Sequence, residues 1–185
     1  LRLKTVGAGK NSSEAAAPAI LNLGYRTRLL VFAFATQSSG VPESWSAGAN
    51  RPGVNLLSNL SHGGIEMIAA QVSGIRRAGD TVVISIHWGG NWGFEVPAEH
   101  VAFSHALIDA AGVDIVYGHS SHHPQAIEIY RSKLILYGCG DFLNDYEGIS
   151  GREEYRGDLS AMYLVDLDEA RNGVLTSLTV IPFKD

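Results

Sequence analysis

Three apolar runs of strand length constrain the fold of this chain more than any other feature. The run RLLVFAFA (28–35) is apolar almost throughout, and TVVISIH (81–87) and VDIVYG (113–118) are nearly as apolar. Continuous apolar runs of this length are typical of strands that are buried on both faces. Two of the three runs lead directly into histidine, at His87 and at His119. The sequence therefore predicts a layered core whose buried strands carry imidazole groups at their ends.

Helical periodicity occurs between these strands, and hairpin patterns dominate after them. The predicted helices are residues 12–23, with Ser12 or Ser13 as N-cap and Pro18 as a kink or a new start, a helix carrying Ile65, Ile68, Val72 and Ile75 that ends at Gly79-Asp80, and residues 98–111, ended by Gly112. The later predicted strands are 126–130, 133–138, 159–167 and 174–183, with a two-residue turn at Arg131-Ser132.

This order of elements predicts the fold class. Residues 36–59 are rich in Ser, Gly, Pro and Asn and predict a long irregular loop. Alternating helices and strands followed by hairpins favour an α/β (α+β mixed) fold, with sheet packed on sheet and helices on the outside. A purely parallel, doubly wound sheet is disfavoured. We expect residues 1–185 to form one domain.

Charge and hydropathy exclude two classes of partner. The 185 residues include 14 Lys and Arg against 19 Asp and Glu, a formal net charge of -5, with no block of like charge. We therefore expect no nucleic-acid partner. No apolar run approaches the roughly 18 residues that span a bilayer, so no membrane span is expected in this chain. The single cysteine, Cys139, cannot form a disulfide within the chain.

The first residues suggest that the chain is part of a longer protein. The chain begins at Leu1, without an initiator methionine and without the apolar segment of a signal peptide. We therefore treat it as a fragment. The upstream segment would decide between a cytoplasmic and a cell-envelope location.

The strand-end histidines predict a metal site. Neutral imidazole is the commonest protein ligand of borderline divalent metals, so His87, His119 and His122 would supply three nitrogens to a Zn, Mn or Fe site. The alternative is that a strand-end histidine such as His87 is structural. A two-metal hydrolase also needs carboxylate or amide oxygens, one of which bridges the ions.

Several other side chains have both a functional and a structural interpretation. Trp88 and Trp92 could form a substrate platform or a lid that packs on the core. Asp141 could face the same cleft or cap a turn. Arg156, in the polar loop REEYRGD, could hold an anion or form a surface salt bridge. The remaining candidates are predicted to be solvated surface residues: His62, His100 and His105.

Three motifs, taken in order, resemble a known family. They are IHWG (86–89), LIDAAGVDIVYGHSSHH (107–123) and IEIYRSKLILYGCGDF (127–142). Together they resemble the C-terminal signature of CapA-type proteins, which are linked to bacterial capsule and poly-gamma-glutamate synthesis. TVGAGKNSSEAAAP also resembles the segment that follows an Asn-His motif in the first half of that family. The resemblance extends from Thr5 to about Leu167.

The resemblance implies a fold and a set of ligands. CapA-type proteins are similar to calcineurin-like metallophosphoesterases, whose fold is a two-sheet β-sandwich flanked by helices with a dinuclear metal site. By this resemblance His87 matches the lone histidine of the fourth metal-binding motif, and His119 and His122 match the pair of the fifth. The first three motifs have no counterpart in residues 1–185, so we expect the C-terminal portion of the fold. Ser120-Ser121 and Asp141 depart from the family pattern, which usually has His-Pro and Asn there.

The resemblance also implies chemistry for the full-length protein. One or two divalent ions (Mn, Fe or Zn) would polarise a phosphoryl oxygen and generate a nucleophile from water. His119 or His122 would hold a metal while the other assists the leaving group. The substrate-binding candidates are Trp88, Asp141 and Arg156. The isolated chain is expected to bind at most one metal weakly and to be inactive.

Three functions follow as hypotheses. The first is a metallophosphoesterase-like protein of capsule or poly-gamma-glutamate biosynthesis, acting on a phosphoester or on an anionic polymer. The second is a non-catalytic scaffold that binds the polymer and assists its synthase or export components. The third is an amide hydrolase that cleaves the polymer, since a metal site of this kind does not chemically distinguish acyl from phosphoryl centres.

Overall fold

The computed structural model describes residues 3–23, 27–142, 151–168 and 173–184. The strands are β1 (Ala8–Gly9), β2 (Ala19–Asn22), β3 (Arg28–Thr36), β4 (Gly53–Val54), β5 (Leu56–Leu57), β6 (Thr81–His87), β7 (Ile115–His119), β8 (Ile127–Tyr130), β9 (Lys133–Leu136), β10 (Leu159–Asp168) and β11 (Val174–Lys184). The α-helices are α1 (Ser12–Ala16), α2 (His62–Ser73) and α3 (Ala98–Ala111), and short 3-10 helices occur at Gln37–Ser39, Glu43–Trp45 and Glu153–Tyr155.

A seven-stranded mixed sheet forms the centre of the fold. Its order is β2-β3-β6-β7-β9-β8, and β5 pairs with the end of β3. Strands β3, β6, β7 and β9 run parallel, and β2 and β8 pair antiparallel at the two edges. The three apolar runs of the sequence are therefore adjacent strands of this sheet, and the prediction that they are strands is confirmed.

Helices α2 and α3 cover one face of this sheet. Alternate residues of the central strands point toward the helices and are fully buried, which is the period-2 alternation of a strand. The core residues on the strands are Leu30, Phe32, Phe34, Val82, Ile84, Ile86, Val116 and Ile135, and those on the helices are Ile65, Ile68, Val72, Phe103, Leu107, Ile108 and Ala111. Because this set of side chains faces the helices, the alternate set must face the other side of the sheet.

A small antiparallel sheet of β10 and β11 packs on that other side. Leu134, Leu136 and Cys139 form the contact on the large sheet, against side chains of the hairpin that include Tyr163 and Val165. The fold is thus sheet on sheet with helices outside. This confirms the predicted fold class and excludes a purely parallel doubly wound sheet.

Ion pairs lie at the end of the large sheet where β6 and β7 begin. Asp80 accepts two hydrogen bonds from the Arg28 guanidinium, and these bonds lower the pKa of the carboxyl group. Asp114 is also buried, and it accepts from the backbone N–H of Val82 and pairs with Lys133. The polar residues at this edge therefore stabilise the start of the strands.

The first predicted helix is wrong in length and in its cap. Helix α1 ends at Ala16, and the residues that follow form β2 rather than a longer helix. Pro18 explains the end, because it disfavours helical backbone at Ala17, which is extended (φ -68°, ψ 135°). The N-cap is Asn11, whose side chain accepts a hydrogen bond from Glu14, and not Ser12 or Ser13.

Two other local predictions are confirmed, and one helix end is wrong. Helix α3 has the predicted bounds, and Gly112 ends it in the left-handed conformation. Arg131 and Ser132 form the two-residue turn of the β8–β9 hairpin, both at positive φ as a tight hairpin turn requires. Helix α2 ends at Ser73, several residues before the predicted Gly79-Asp80.

Within the described ranges, no helix combines the length and hydropathy needed to cross a bilayer.

Gly118 permits a close contact beside the strand end of β7. A Cβ atom at this position would lie 2.3 Å from the carbonyl oxygen of Tyr137 and 2.6 Å from Nε1 of Trp88. Neither atom can move easily, because Trp88 Nε1 donates a hydrogen bond to that same carbonyl oxygen at 2.9 Å. Only glycine fits between the strand and the tryptophan.

We therefore expect Gly118→Ala to lower the free energy of unfolding by about 1–3 kcal/mol, the usual range for overpacking a tight site. Chemical denaturation followed by circular dichroism measures the change. Gly157→Ala is the matched control, since a Cβ atom there meets no heavy atom within 4 Å. Equal stability of the two variants would contradict the packing described here.

Candidate metal centre

The register of β6 and β7 brings two of the predicted ligands together. His87 and His119 are directly paired residues at the ends of these parallel strands. Because Ile84 and Ile86 point to the helices, Ser85 and His87 point to the opposite face, where His119 also lies. The backbone thus places both imidazoles on one face and at one end of the sheet.

The two rings are in direct contact. His87 Nδ1 and His119 Nδ1 lie 3.0 Å apart, and His119 Nε2 lies 3.0 Å from Ser85 Oγ. Burial lowers the pKa of His119 to about 4, with a smaller contribution from His87. Burial also lowers the pKa of His87, with a smaller contribution from nearby His122. Both rings are therefore neutral at pH 7, the form in which imidazole binds a metal.

His122 stands beside this pair, together with Asp141. His122 Nδ1 lies 3.0 Å from Asp141 Oδ2, and both side chains are partly buried. A histidine that binds a metal through one ring nitrogen commonly donates from the other to a carboxylate, which fixes the ring orientation. Asp141 thus lies beside His122, where its carboxylate would orient the His122 ring. The next residue, His123, is buried and accepts a hydrogen bond from Gly93.

Hydrogen bonds lock the loops that follow the strands. Trp88 donates its backbone N–H to the His119 carbonyl oxygen, and Ser120 Oγ donates to the Gly89 carbonyl oxygen. His122 donates its backbone N–H to the carbonyl oxygen of Asn91. Ser120 adopts φ 137°, an unusual value for a residue other than glycine. The histidine-bearing loop is therefore held against the loop after β6 at several points.

Trp88 lies in the core and not in the cleft. Its side chain is 2% exposed, and its ring stacks on His100 with centroids 4.1 Å apart. Of the two interpretations of Trp88, the structure places it as the residue that packs on the core. A Cβ atom at Gly89, which has φ +70°, would lie 2.9 Å from the His100 ring. The His100 ring, stacked on Trp88, therefore packs closely against Gly89.

Trp92 lies beside His122 instead. Its ring lies 5.3 Å from the His122 ring and 5.3 Å from the Tyr155 ring, between centroids. Phe94 contacts Tyr155 at 4.9 Å and is 60% exposed. The guanidinium of Arg152 lies over Trp92, 5.7 Å from its ring centroid. We name the three rings of Trp92, Phe94 and Tyr155 the aromatic wall, and the Arg152 guanidinium lies on it.

Arg156 is engaged in an ion pair at the surface. Its Nε and Nη2 donate to the two carboxylate oxygens of Asp158 at 2.7 and 2.9 Å, and its side chain is 58% exposed. Of the two interpretations of Arg156, the structure shows the surface salt bridge. The role of Arg156, Trp88 and Asp141 in substrate binding stays a prediction.

One of the three histidines predicted to be on the surface is buried. His100 is 2% exposed, because α3 turns it toward Trp88, so the surface prediction for it is wrong. His62 lies at the surface with its side chain 85% exposed, and His105 is partly buried against Glu128.

The donors present fit part of a metal site. Two imidazole nitrogens bound to one tetrahedral metal lie about 3.4 Å apart, given bonds of about 2.0–2.1 Å. The Nδ1 atoms of His87 and His119 are only a few tenths of an ångström closer than this, and Ser85 supports the second nitrogen of His119. In the part of the chain that the structure describes, no group of three or more His, Cys, Asp or Glu side chains is arranged as a metal site.

Comparison with solved structures finds a protein of the same fold. A crystal structure of a novel phosphatase from Mycoplasma pneumoniae superimposes with a TM-score of 0.60, over 91% of this chain and 57% of that chain, at 12% sequence identity. Likeness at this identity concerns the fold alone. The two proteins therefore share a fold in which sheet packs on sheet with helices outside.

Comparison with known sequences gives the family. The chain belongs to the bacterial capsule synthesis protein family PGA_cap, whose family model matches residues 1–146. It is 48% identical, over 183 residues, to a probable polyglutamine synthesis accessory protein of Mycobacterium tuberculosis, which covers 98% of this chain and 48% of that protein. It is 29% identical to the PGA biosynthesis protein CapA of Bacillus subtilis over 77% of this chain and 35% of that protein. The chain thus spans about half the length, or less, of these curated relatives, and the predicted membership of the CapA-type family is confirmed.

Buried His100 should make the stability of the fold dependent on pH. Burial lowers its pKa from the ordinary value of 6.5, so below about pH 6.5 the unfolded chain binds a proton that the folded chain does not. The free energy of unfolding therefore falls as the pH falls, by at most about 1.4 kcal/mol per pH unit from this group. His100→Phe keeps an aromatic ring on Trp88 and removes this proton.

We expect His100→Phe to lose less stability than the wild type between pH 7 and pH 5, measured by urea denaturation at each pH. His62→Phe is the matched control, because that side chain is exposed. If His100→Phe and the wild type lose the same free energy over this range, His100 is not protonated preferentially in the unfolded chain.

Proposed function

We propose that this chain forms the histidine side of a metal-dependent, phosphoesterase-like site in a protein of capsule or polyglutamate synthesis. The observation that carries the proposal is the contact between His87 and His119 at the ends of two parallel strands. Family membership and the names of the relatives support the pathway. The phosphatase-type fold supports the class of chemistry.

Three histidines would hold a divalent ion such as Mn, Fe or Zn in this proposal. His87 and His119 would bind it through their facing Nδ1 atoms, with Ser85 Oγ holding the other nitrogen of His119. His122 would approach it from the adjacent loop with its ring oriented by Asp141. Since the chain spans about half of its relatives, the oxygen ligands that a dinuclear site needs are proposed to come from polypeptide outside residues 1–185.

A bound divalent ion would polarise a phosphoryl or acyl oxygen of the substrate. The side chains of this chain would divide the remaining work. His87 and His119 are partly buried, and this burial lowers the pKa of both rings, so both are neutral, as ligands must be. The carboxylate of Asp141 would fix the orientation of the His122 ring at the ion.

A second candidate function is a binding scaffold without turnover. The name of the Mycobacterium tuberculosis relative describes it as an accessory protein, which favours this candidate for the pathway role. In this case the cleft would bind an anionic polymer or another component of its synthesis, and the histidines would not need a metal. The metal content of the protein separates the two candidates.

We expect His87→Ala, His119→Ala and His122→Ala each to weaken binding of Mn2+ or Zn2+ at least about tenfold, because each removes a ligand nitrogen. Isothermal titration and elemental analysis after dialysis measure the affinity and the stoichiometry. The measurement is made on the 185-residue chain and on any longer natural protein that contains it.

His62→Ala is the matched control, since its side chain is exposed and pairs only with Glu66 on the same helix in the described structure. We expect it to bind metal like the wild type. If the three site variants retain the metal content of the wild type, the ligand assignment is wrong and the scaffold function is favoured.

A further inference from the structure

We propose that Arg152 is the residue that binds the anionic part of the ligand at the cleft. The proposal rests on the proposed function only in placing the ligand beside the histidines. The ligand class is an oxyanion, which could be the phosphate of a phosphoester or a carboxylate of an acidic polymer. The structure gives three reasons for choosing Arg152.

The first reason is position. The Arg152 guanidinium lies over the Trp92 ring, and the other neighbours of that ring include His122 at 5.3 Å. One aromatic ring therefore separates the guanidinium from the proposed metal-binding side chains. An oxyanion bound by Arg152 would therefore lie next to the tryptophan that contacts His122.

The second reason is the state of the guanidinium. Within the described ranges, no carboxylate pairs with Arg152, and the contact recorded for its side chain is the face of Trp92. A cation held on an aromatic face keeps its N–H donors at its edge, where they can meet a carboxylate or a phosphate in a fork. By contrast, Arg156 already donates two hydrogen bonds to Asp158.

The third reason is the rigidity of the support. Trp92 packs against Tyr155, which in turn stacks on the buried ring of His123 with centroids 4.4 Å apart. Gly93 beside Trp92 is bound on both sides, since its N–H donates to His123 Nε2 and its carbonyl oxygen accepts from Gln125. The surface under Arg152 is thus fixed before a ligand arrives, which lowers the entropic cost of binding.

The aromatic wall also limits the shape of the ligand. Phe94 is 60% exposed and contacts Tyr155, so it presents apolar surface beside the cation. A ligand with an oxyanion next to a flat or aliphatic segment would contact both Arg152 and Phe94. A small, strongly hydrated anion would use Arg152 alone.

The test is a fluorescence titration without metal, in a Trp45→Phe background that removes the exposed tryptophan. Trp92 then reports on the site, and Trp88 is buried. One arm uses phenyl phosphate as the probe, and the other uses a short glutamate oligomer. The variants are Arg152→Gln, which removes the charge, and Arg152→Lys, which keeps it.

We expect Arg152→Gln to weaken binding of at least one probe about fivefold or more, with Arg152→Lys retaining part of the affinity. The probe that is affected identifies the source of the oxyanion. Arg131→Gln is the matched control, because Arg131 is an exposed arginine of the β8–β9 turn that pairs with Asp109, and this variant should bind within about twofold of the wild type. Unchanged binding in Arg152→Gln, or an equal loss in Arg131→Gln, would overturn the proposal.

This result is separable from the test of the metal site. If the histidine variants keep their metal content while Arg152→Gln loses the probe, the proposed function fails and the anion site stands. If the histidine variants lose metal while Arg152→Gln still binds both probes, the metal site stands and the assignment of Arg152 fails.

Discussion

The parallel register of β6 with β7 is the constraint on which the candidate site depends. It pairs His87 with His119 at the end of both strands, and the alternation of side chains turns both rings away from the helices. A shift of one residue in either strand would turn its histidine into the helical core. The apolar residues that alternate with Ser85 and His87 hold the register, since each of them is fully buried under α2 and α3. The packing of the hydrophobic core therefore also determines the geometry of the polar site.

The two edges of the central sheet have different roles. Where the strands begin, buried Asp80 and Asp114 are matched by arginine and lysine side chains, which stabilise the ends of the elements. Where the strands end, the histidines contact one another, and partial burial lowers the pKa of both rings, so that they are neutral. Loops gather at this second edge, and the backbone hydrogen bonds of Trp88 and His122 tie them together. The loops at this edge are therefore connected to one another rather than independent.

Local pattern predicted most of the fold, and it failed where contacts are distant in sequence. The buried strands, α3 and the Arg131-Ser132 turn follow from composition and short-range chemistry. Ser85 could have been found, since it lies two residues before His87 on the same face. The burial of His100 and the approach of Arg152 to Trp92 depend on how segments far apart in the chain pack together. No short-range signal in the sequence reports such packing.

The proposed metal site requires that His87 and His119 bind one metal ion between them. Anomalous diffraction from crystals of the protein grown with Zn2+, recorded on both sides of the zinc absorption edge, locates such an ion. We expect a single strong peak about 2.0–2.1 Å from Nδ1 of both rings, with the rings slightly further apart than 3.0 Å. Zinc bound only elsewhere, with the two rings still in direct contact, would contradict it.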